Sequence, residues 1–114
     1  MPLRQKVVEE MAGLFGVLAH PTRLRIIALL HQGERPVSEL KARLDRPGAN
    51  ISQHLALLRA HHLVTVRREG TRLYYAIRDA RVAQIINCGL DILAEDASHA
   101  RELRHAIERV RLPD

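Results

Sequence analysis

Residues 37–60 have the sequence VSELKARLDRPGANISQHLALLRA, in which a proline-glycine turn separates two sets of apolar residues. Within each set the residues recur every three or four positions, which places them on one face of an α-helix. The two sets are Val37, Leu40 and Leu44, and then Ile51, Leu55 and Leu58. Because two short helices joined by a tight turn form a helix-turn-helix, residues 37–60 predict this motif.

Apolar residues after the motif alternate with a period of two over residues 63–78, and Gly70 interrupts the alternation. This pattern predicts a β-hairpin with a glycine turn, called the wing below. Before the motif, helical spacing predicts one helix over about residues 5–18 and a second that begins at Pro21. The residue before a proline avoids the helical conformation, so we expect the chain to break between these two helices.

Helical spacing returns after the wing, over about residues 79–110, and Asp79 is a candidate N-cap for this segment. The helices over 5–18 and 79–110 would leave apolar faces uncovered at the edge of a small winged helix. We therefore expect these two helices to pack against a second copy of the chain and form a homodimer. The predicted fold is a single domain over residues 1–114, mainly α with a small β-hairpin: a winged helix-turn-helix with N- and C-terminal dimerisation helices.

The net charge of +5 is concentrated in one segment of the chain. Between Arg46 and Arg78 there are six arginines and one acidic residue, Glu69, so this segment carries the whole excess. Such a concentration is expected where a protein faces a polyanion, because neutralising phosphates releases counterions. The aromatic residues, Phe15, Tyr74 and Tyr75, are too few for the stacking surface of a single-strand binder. The expected partner is double-stranded DNA.

Four motifs in a fixed order carry a resemblance to a known family. They are LAHPTRLRII at 18–27, SEL at 38–40, ISQHLALLR at 51–59, and Leu63-Val64 followed by the hairpin. Over about residues 12–95 the chain resembles the ArsR/SmtB family of dimeric winged-helix repressors. The resemblance implies a repressor that binds an operator near its own or a neighbouring promoter and leaves it when an inducer arrives.

Residues 47–78 are expected to do most of the DNA reading. The N-terminal part of a recognition helix over about 49–60 would enter the major groove, where base pairs present distinct donor and acceptor patterns. Its candidate base readers are Asn50, Ser52, Gln53 and His54. The wing would contact phosphates or the minor groove through Arg67, Arg68 and Arg72, and Arg59 and Tyr74 complete the candidate DNA-binding set. The alternatives are a solvated polar helix face and a charged hairpin surface.

A homodimer implies a pseudo-palindromic operator, because two-fold symmetry places two recognition helices about one DNA turn apart. The inducer is not identified by the sequence. Zinc sensors of the family use four ligand positions that correspond here to Asp79, Arg81, Ile92 and Glu95, of which two are not ligands. The cysteine positions of arsenic and cadmium sensors correspond to Pro36 and Ser38. No metal or cofactor is therefore expected.

A polar face on the last predicted helix leaves one metal hypothesis open. If residues 79–110 form one continuous helix, Asp91, Glu95, His99 and Glu102 project in similar directions, and His105 lies one turn further. A solvated charged face accounts for the same pattern, because it lies opposite the apolar stripe of the helix. Whether Asp91, Glu95, His99 or His105 bind a metal is not decided by the sequence.

Cys88 is the single cysteine, which excludes an intrachain disulfide and fits the reducing cytoplasm. It is a possible redox sensor, so a thiol- or persulfide-responsive repressor is one alternative, and a small buried apolar residue is the other. A winged-helix protein-interaction module is a further alternative for the whole chain. An enzyme is not expected, because no nucleophile, base and acid occur together. No stretch approaches the roughly 20 apolar residues that span a membrane.

Overall fold

The computed structural model of the chain describes residues 2–44, 47–96 and 101–113. Contacts divide the chain into two compact units, Met1–Arg78 and Asp79–Asp114. The elements of the first unit are, in chain order, α1 (Pro2–Leu18), α2 (Pro21–His31), β1 (Arg35–Pro36), α3 (Val37–Leu44), α4 (Gly48–Ala60), β2 (Val64–Glu69) and β3 (Arg72–Ile77). The second unit contains α5 (Arg81–Asp96) and α6 (Arg101–Val110). The predicted winged helix-turn-helix, mainly α with a small hairpin, is confirmed.

The break between α1 and α2 lies where the proline predicts it. His20 has an extended backbone, with φ −147° and ψ 128°, and Pro21 occupies the first turn of α2. The Nδ1 atom of His20 accepts a hydrogen bond of 3.1 Å from the backbone N–H of Thr22. His20 is therefore the N-cap of α2, and it satisfies one of the N–H groups that a helix start leaves without a partner.

The core of the first unit is aliphatic and is built from the predicted helical stripes. Its largest fully buried side chains are Ile26, Ile27, Leu40, Ile51, Leu55, Leu58 and Val64. These residues come from α2, α3, α4 and β2, so the two helices of the helix-turn-helix pack on α2 and on the sheet. Because Ile51, Leu55 and Leu58 lie on one face of α4, their burial fixes which face of that helix is left exposed.

The wing is part of a three-stranded antiparallel sheet with the order β1-β3-β2. β2 and β3 pair as far as Glu69 opposite Arg72, and Gly70 in the two-residue loop has φ +63°, as the first loop position of a type II′ turn requires. The predicted hairpin is confirmed. The strand β1 was not predicted, because two residues have no periodicity and Pro36 is tolerated only at a sheet edge such as this.

Arg35 fixes the position of β1. Its Nε atom donates to the carbonyl oxygen of Leu29 over 3.0 Å, and its Nη2 atom donates to Gln32 Oε1 over 2.7 Å. The same guanidinium forms an ion pair with Glu39 of α3. The side chain is only 13% exposed, so the segment between α2 and α3 is anchored to both helices.

α4 ends in a left-handed cap. His62 has φ 59°; its N–H donates to the Arg59 carbonyl over 3.0 Å, and the N–H of Leu63 donates to the Leu58 carbonyl over 3.0 Å. These two bonds define a Schellman motif, in which the left-handed position is usually glycine. Leu63 and Leu58 are both buried, as the accompanying apolar contact requires.

The second unit is folded back on itself. Asn87 of α5 donates through Nδ2 to the carbonyl oxygen of Leu112 over 2.7 Å, and its Oδ1 atom accepts the Leu112 N–H over 2.9 Å. Asp91 of α5 pairs with Arg111. A separation of 25 residues would span about 37 Å in a continuous helix, so residues 79–110 do not form the single continuous helix that the metal hypothesis requires.

No single helix among the described residues is long and apolar enough to cross a membrane. Residues Arg4–Leu18 and Pro21–His31 pass the same test of length and composition as a pair, with a bend of 82° between them. Ile26, Ile27 and Leu30 of α2 are buried in the first unit, which accounts for the apolar composition of that helix.

Candidate nucleic-acid interface

The N-terminus of α4 carries no negative charge from its own residues. Pro47 is the N-cap and makes no side-chain capping bond, and the first turn contains no acidic residue. The first N–H groups of a helix lack internal partners, and the helix dipole is positive at this end. This end of α4 therefore favours an anion over a cation.

The four candidate base readers on α4 are not equivalent. Ser52 and Gln53 are exposed, since they lie on the helix face opposite the buried Ile51, Leu55 and Leu58. Asn50 is half-buried, and its Oδ1 atom is buried without a hydrogen-bond partner among the described residues. The structure thus presents Ser52 and Gln53 together, with Asn50 below the surface.

His54 is held against the start of α2. It is half-buried, and its ring lies 4.4 Å from the His20 ring, centroid to centroid, with the planes tilted by 48°. His20 itself is occupied as the N-cap of α2. The contact between His20 and His54 was not predicted, because 34 positions of chain separate the two residues. The motif around His20 and the motif around His54 give no sign that these two side chains meet.

Arg67 of the wing is bound by carboxylates of its own chain. Its Nε atom lies 3.0 and 2.9 Å from the two carboxylate oxygens of Glu34, and its Nη2 atom lies 2.7 Å from Glu34 Oε1. Its Nη1 atom donates to Glu69 Oε2 over 2.7 Å, and the guanidinium carbon lies 4.5 Å from the centroid of the Tyr74 ring. These hydrogen bonds lower the pKa of Glu34 and raise the pKa of Arg67.

The other candidate arginines form no ion pair in the part of the chain that the structure describes. Arg59, Arg68 and Arg72 are exposed, and within residues 4–44, 47–95 and 101–113 none of them forms an ion pair. Successive side chains of a strand point to opposite faces of the sheet, so Arg67 and Arg68 cannot share a face. The cross-strand pair Arg67 and Tyr74 is therefore separated from Arg68, which lies on the face of the buried Val64.

A cleft of about 310 Å³ lies between the turn of the wing and α4. It is lined by Pro36, Val37, Ser38, Ser52, Thr71, Arg72, Leu73 and Tyr75. Arg72 and four hydroxyl side chains, those of Ser38, Ser52, Thr71 and Tyr75, thus line one concave surface, which is a combination of groups suited to phosphate oxygens. Ser38 and Thr71 were not among the predicted DNA contacts, although Thr71 adjoins the predicted glycine turn of the wing.

The start of α5 confirms the predicted N-cap. Asp79 Oδ1 accepts the N–H of Arg81 over 2.9 Å, and the Arg81 guanidinium binds both oxygens of the same carboxylate.

The candidate sensor residue Cys88 is exposed rather than buried. Among the described residues no group of three or more His, Cys, Asp or Glu is placed to hold a metal, and His99 lies outside them.

The chain matches a family of helix-turn-helix domains and several proteins of known sequence. A family described as a helix-turn-helix domain matches residues 18–67, from the end of α1 into β2. A biofilm growth-associated repressor of Agrobacterium fabrum is 38% identical over 86 residues, which are 75% of this chain and 74% of that protein. A transcriptional repressor SmtB homolog of Synechocystis sp. is 33% identical over 94 residues, which are 82% of this chain and 66% of that protein.

Solved structures show the same fold. The solution structure of a homodimeric winged helix-turn-helix DNA-binding domain from Mycobacterium bovis, a possible ArsR-family transcriptional regulator, has a TM-score of 0.74 with this chain. Its sequence is 31% identical, and the match covers 87% of this chain and 92% of that chain. The chain therefore belongs to the ArsR/SmtB family of winged helix-turn-helix transcriptional regulators.

Proposed function

We propose that the chain is a sequence-specific, double-stranded DNA-binding repressor that acts as a homodimer on a pseudo-palindromic operator and is released by an inducer. The observation that carries this proposal is the position of the cleft. Its lining includes the exposed Ser52 of α4 and the exposed Arg72 of the wing, which has no ion-pair partner among the described residues. The relatives named above are repressors, or in the M. bovis structure a DNA-binding domain, which supports the same function.

The work of recognition is divided between two sets of residues. Ser52 and Gln53 read base edges in the major groove, because their side chains project from the exposed face of α4. Arg72, with Arg68 and Arg59, supplies charge for the phosphates without distinguishing sequences. The uncapped start of α4 adds the positive end of a helix dipole to the same anionic partner.

Dimerisation is supported by apolar side chains that each unit leaves uncovered. On α1, Val7, Val8, Met11 and Phe15 are about half exposed or more. On α5, Ile92 is 65% exposed and Leu93 is 54% exposed. A second copy of the chain would cover such surfaces, and the M. bovis relative is a homodimer. Release of DNA through a modification of the exposed Cys88 is the alternative to a small-molecule inducer.

A salt series tests the proposal. Fluorescence anisotropy is measured with a duplex from the region upstream of the chain's own gene and with a random duplex of equal length. We expect Arg72→Ala to lower the slope of log affinity against log salt by about 0.9 on both duplexes, since one phosphate contact is lost. Gln53→Ala should weaken binding to the upstream duplex alone, by about tenfold. The stoichiometry should be two chains for each operator.

Arg101→Ala is the matched control. Arg101 is exposed on α6, and its substitution removes the same charge from the other unit. Its salt slope should equal that of the unaltered chain. A wild-type affinity that depends on neither salt nor DNA sequence would contradict the proposal and favour a protein-interaction module.

A further inference from the structure

A cluster of four side chains joins the two edges of the sheet. It consists of Glu34, Arg67, Glu69 and Tyr74 and is called the Arg67 cluster. Arg67 lies on the edge strand β2, Tyr74 lies opposite it on the central strand β3, and Glu34 directly precedes the other edge strand, β1. The Arg67 side chain therefore crosses over the Tyr74 ring and ends on a carboxylate 33 residues earlier in the chain. The wing is attached by this side chain to the segment before β1.

The attachment point is itself fixed. Arg35, which follows Glu34, is bound to the Leu29 carbonyl, to Gln32 and to Glu39. Glu34 thus extends from a segment that is anchored to α2 and α3 rather than from a free loop. A bond between Arg67 and Glu34 consequently transmits the position of these helices to the hairpin.

The donors of Arg67 are committed to its own chain. Glu34 and Glu69 receive hydrogen bonds from Nε, Nη1 and Nη2, so every nitrogen of the guanidinium has a carboxylate partner. Two carboxylates against one guanidinium leave the cluster with a net charge of about −1 at neutral pH, since the pKa of Glu34 is lowered further. A DNA phosphate at this position would meet a guanidinium whose three nitrogens already donate to carboxylates, and it would be repelled by those two carboxylates.

Arg72 has the opposite properties. It is exposed, has no ion-pair partner in the described part of the chain, and lines the cleft with Ser52 of α4. Arg72 is the first residue of β3, directly after the turn of the wing. Arg67 lies on β2 of the same hairpin and joins that strand to Glu34, before β1. The two arginines therefore belong to one hairpin but meet different partners.

We propose that Arg67 is a positioning residue: the Arg67 cluster holds the wing at the angle that brings Arg72 to the DNA, and Arg67 makes no phosphate contact of its own. This inference rests on the proposed DNA-binding function. It assigns a role to Glu34 as well, because the carboxylate is the fixed end of the connection.

Two substitutions of opposite charge separate this role from an electrostatic one. Glu34→Gln removes a negative charge and Arg67→Ala removes a positive charge, so a purely electrostatic role predicts that they change DNA affinity in opposite directions. If the cluster positions the wing, both weaken DNA binding, by about three- to tenfold, which corresponds to losing contacts of about 0.7–1.4 kcal/mol. The double variant should bind no more weakly than either single variant, because both remove one connection.

The salt slope and the order of the free wing provide further readouts. Arg67→Ala should leave the slope of log affinity against log salt unchanged, whereas Arg72→Ala lowers it by about 0.9. Without DNA, the wing amides of Glu34→Gln should exchange with solvent faster than in the unaltered chain, while those of α4 keep their rates. Glu10→Gln, an exposed change of equal charge on α1, is the matched control and should alter neither.

Arg67→Lys covers the case in which Arg67→Ala fails to fold. Lysine keeps the charge but cannot bind Glu34 through two nitrogens, so it should weaken DNA binding as alanine does. An increase in affinity for Glu34→Gln, or a slope for Arg67→Ala as low as that of Arg72→Ala, overturns the inference while the DNA-binding function stands. If the unaltered chain shows no salt-dependent DNA binding, both fail together.

Discussion

The units Met1–Arg78 and Asp79–Asp114 differ in how much of their contact is made by buried aliphatic side chains. In the first, large aliphatic side chains from helices and sheet meet in a core, and Leu40, Ile51, Leu55 and Leu58 have no exposed surface. In the second, the buried apolar side chains are fewer and include Ile107 and Leu112, and the return of α6 along α5 is also held by the amide of Asn87 and by an ion pair. Apolar packing follows the helical period and is visible in a sequence, whereas a single amide bound to a distant backbone is not.

The largest expected effect concerns the core of the first unit. Leu55→Ala should lower the free energy of unfolding by about 2–5 kcal/mol, because a fully buried leucine leaves a cavity. Urea denaturation followed by circular dichroism measures the loss. Leu57→Ala is the matched control on the same helix; Leu57 is 38% exposed, and the expected cost is below about 1 kcal/mol. Equal losses for the two leucines would contradict the stated packing of α4.

Asn87→Ala tests the second unit. It removes both hydrogen bonds to Leu112 and should destabilise the return of α6 by about 1–3 kcal/mol. Hydrogen exchange should show faster amides over residues 101–112, while the amides of α2 and α4 exchange as before. Gln84→Ala, an exposed change on α5, should leave the rates unaltered. If Asn87→Ala leaves α6 equally protected, the amide is not what holds α6.

The smallest expected effect is a gain in stability at the end of α4. His62→Gly should raise the free energy of unfolding by about 0.5–1 kcal/mol, because glycine adopts a φ of 59° without the crowding that a side chain causes. The same change at His61, where φ is −95°, should instead cost up to about 1 kcal/mol. Thermal unfolding of the two variants side by side measures the difference. A loss of stability in both would show that the left-handed cap is not strained.

The candidate DNA interface also has one part that the sequence predicts and one part that it does not. The periodicity of α4 placed its buried residues on one face, and this leaves Ser52 and Gln53 exposed on the other. The hydrogen bonds of Arg67 to Glu34 could not be predicted, because no sequence motif marks Glu34 as the partner of an arginine in the wing. A run of arginines therefore predicts where charge lies along a chain, but it does not show which of the charges are free.

The amino-acid sequence is enough to predict the order of the helices, the helix-turn-helix, the glycine turn of the wing and the segment that carries the net charge. These features depend on residues within one or two turns of each other, so a local period or a single proline or glycine is enough to predict them. Four features became visible in the folded chain alone: the strand β1, the return of α6 along α5, the contact of His54 with His20, and the binding of Arg67 by Glu34. Each of these joins residues distant in the chain, and such partners are brought together by the packing of whole elements, which no local pattern records.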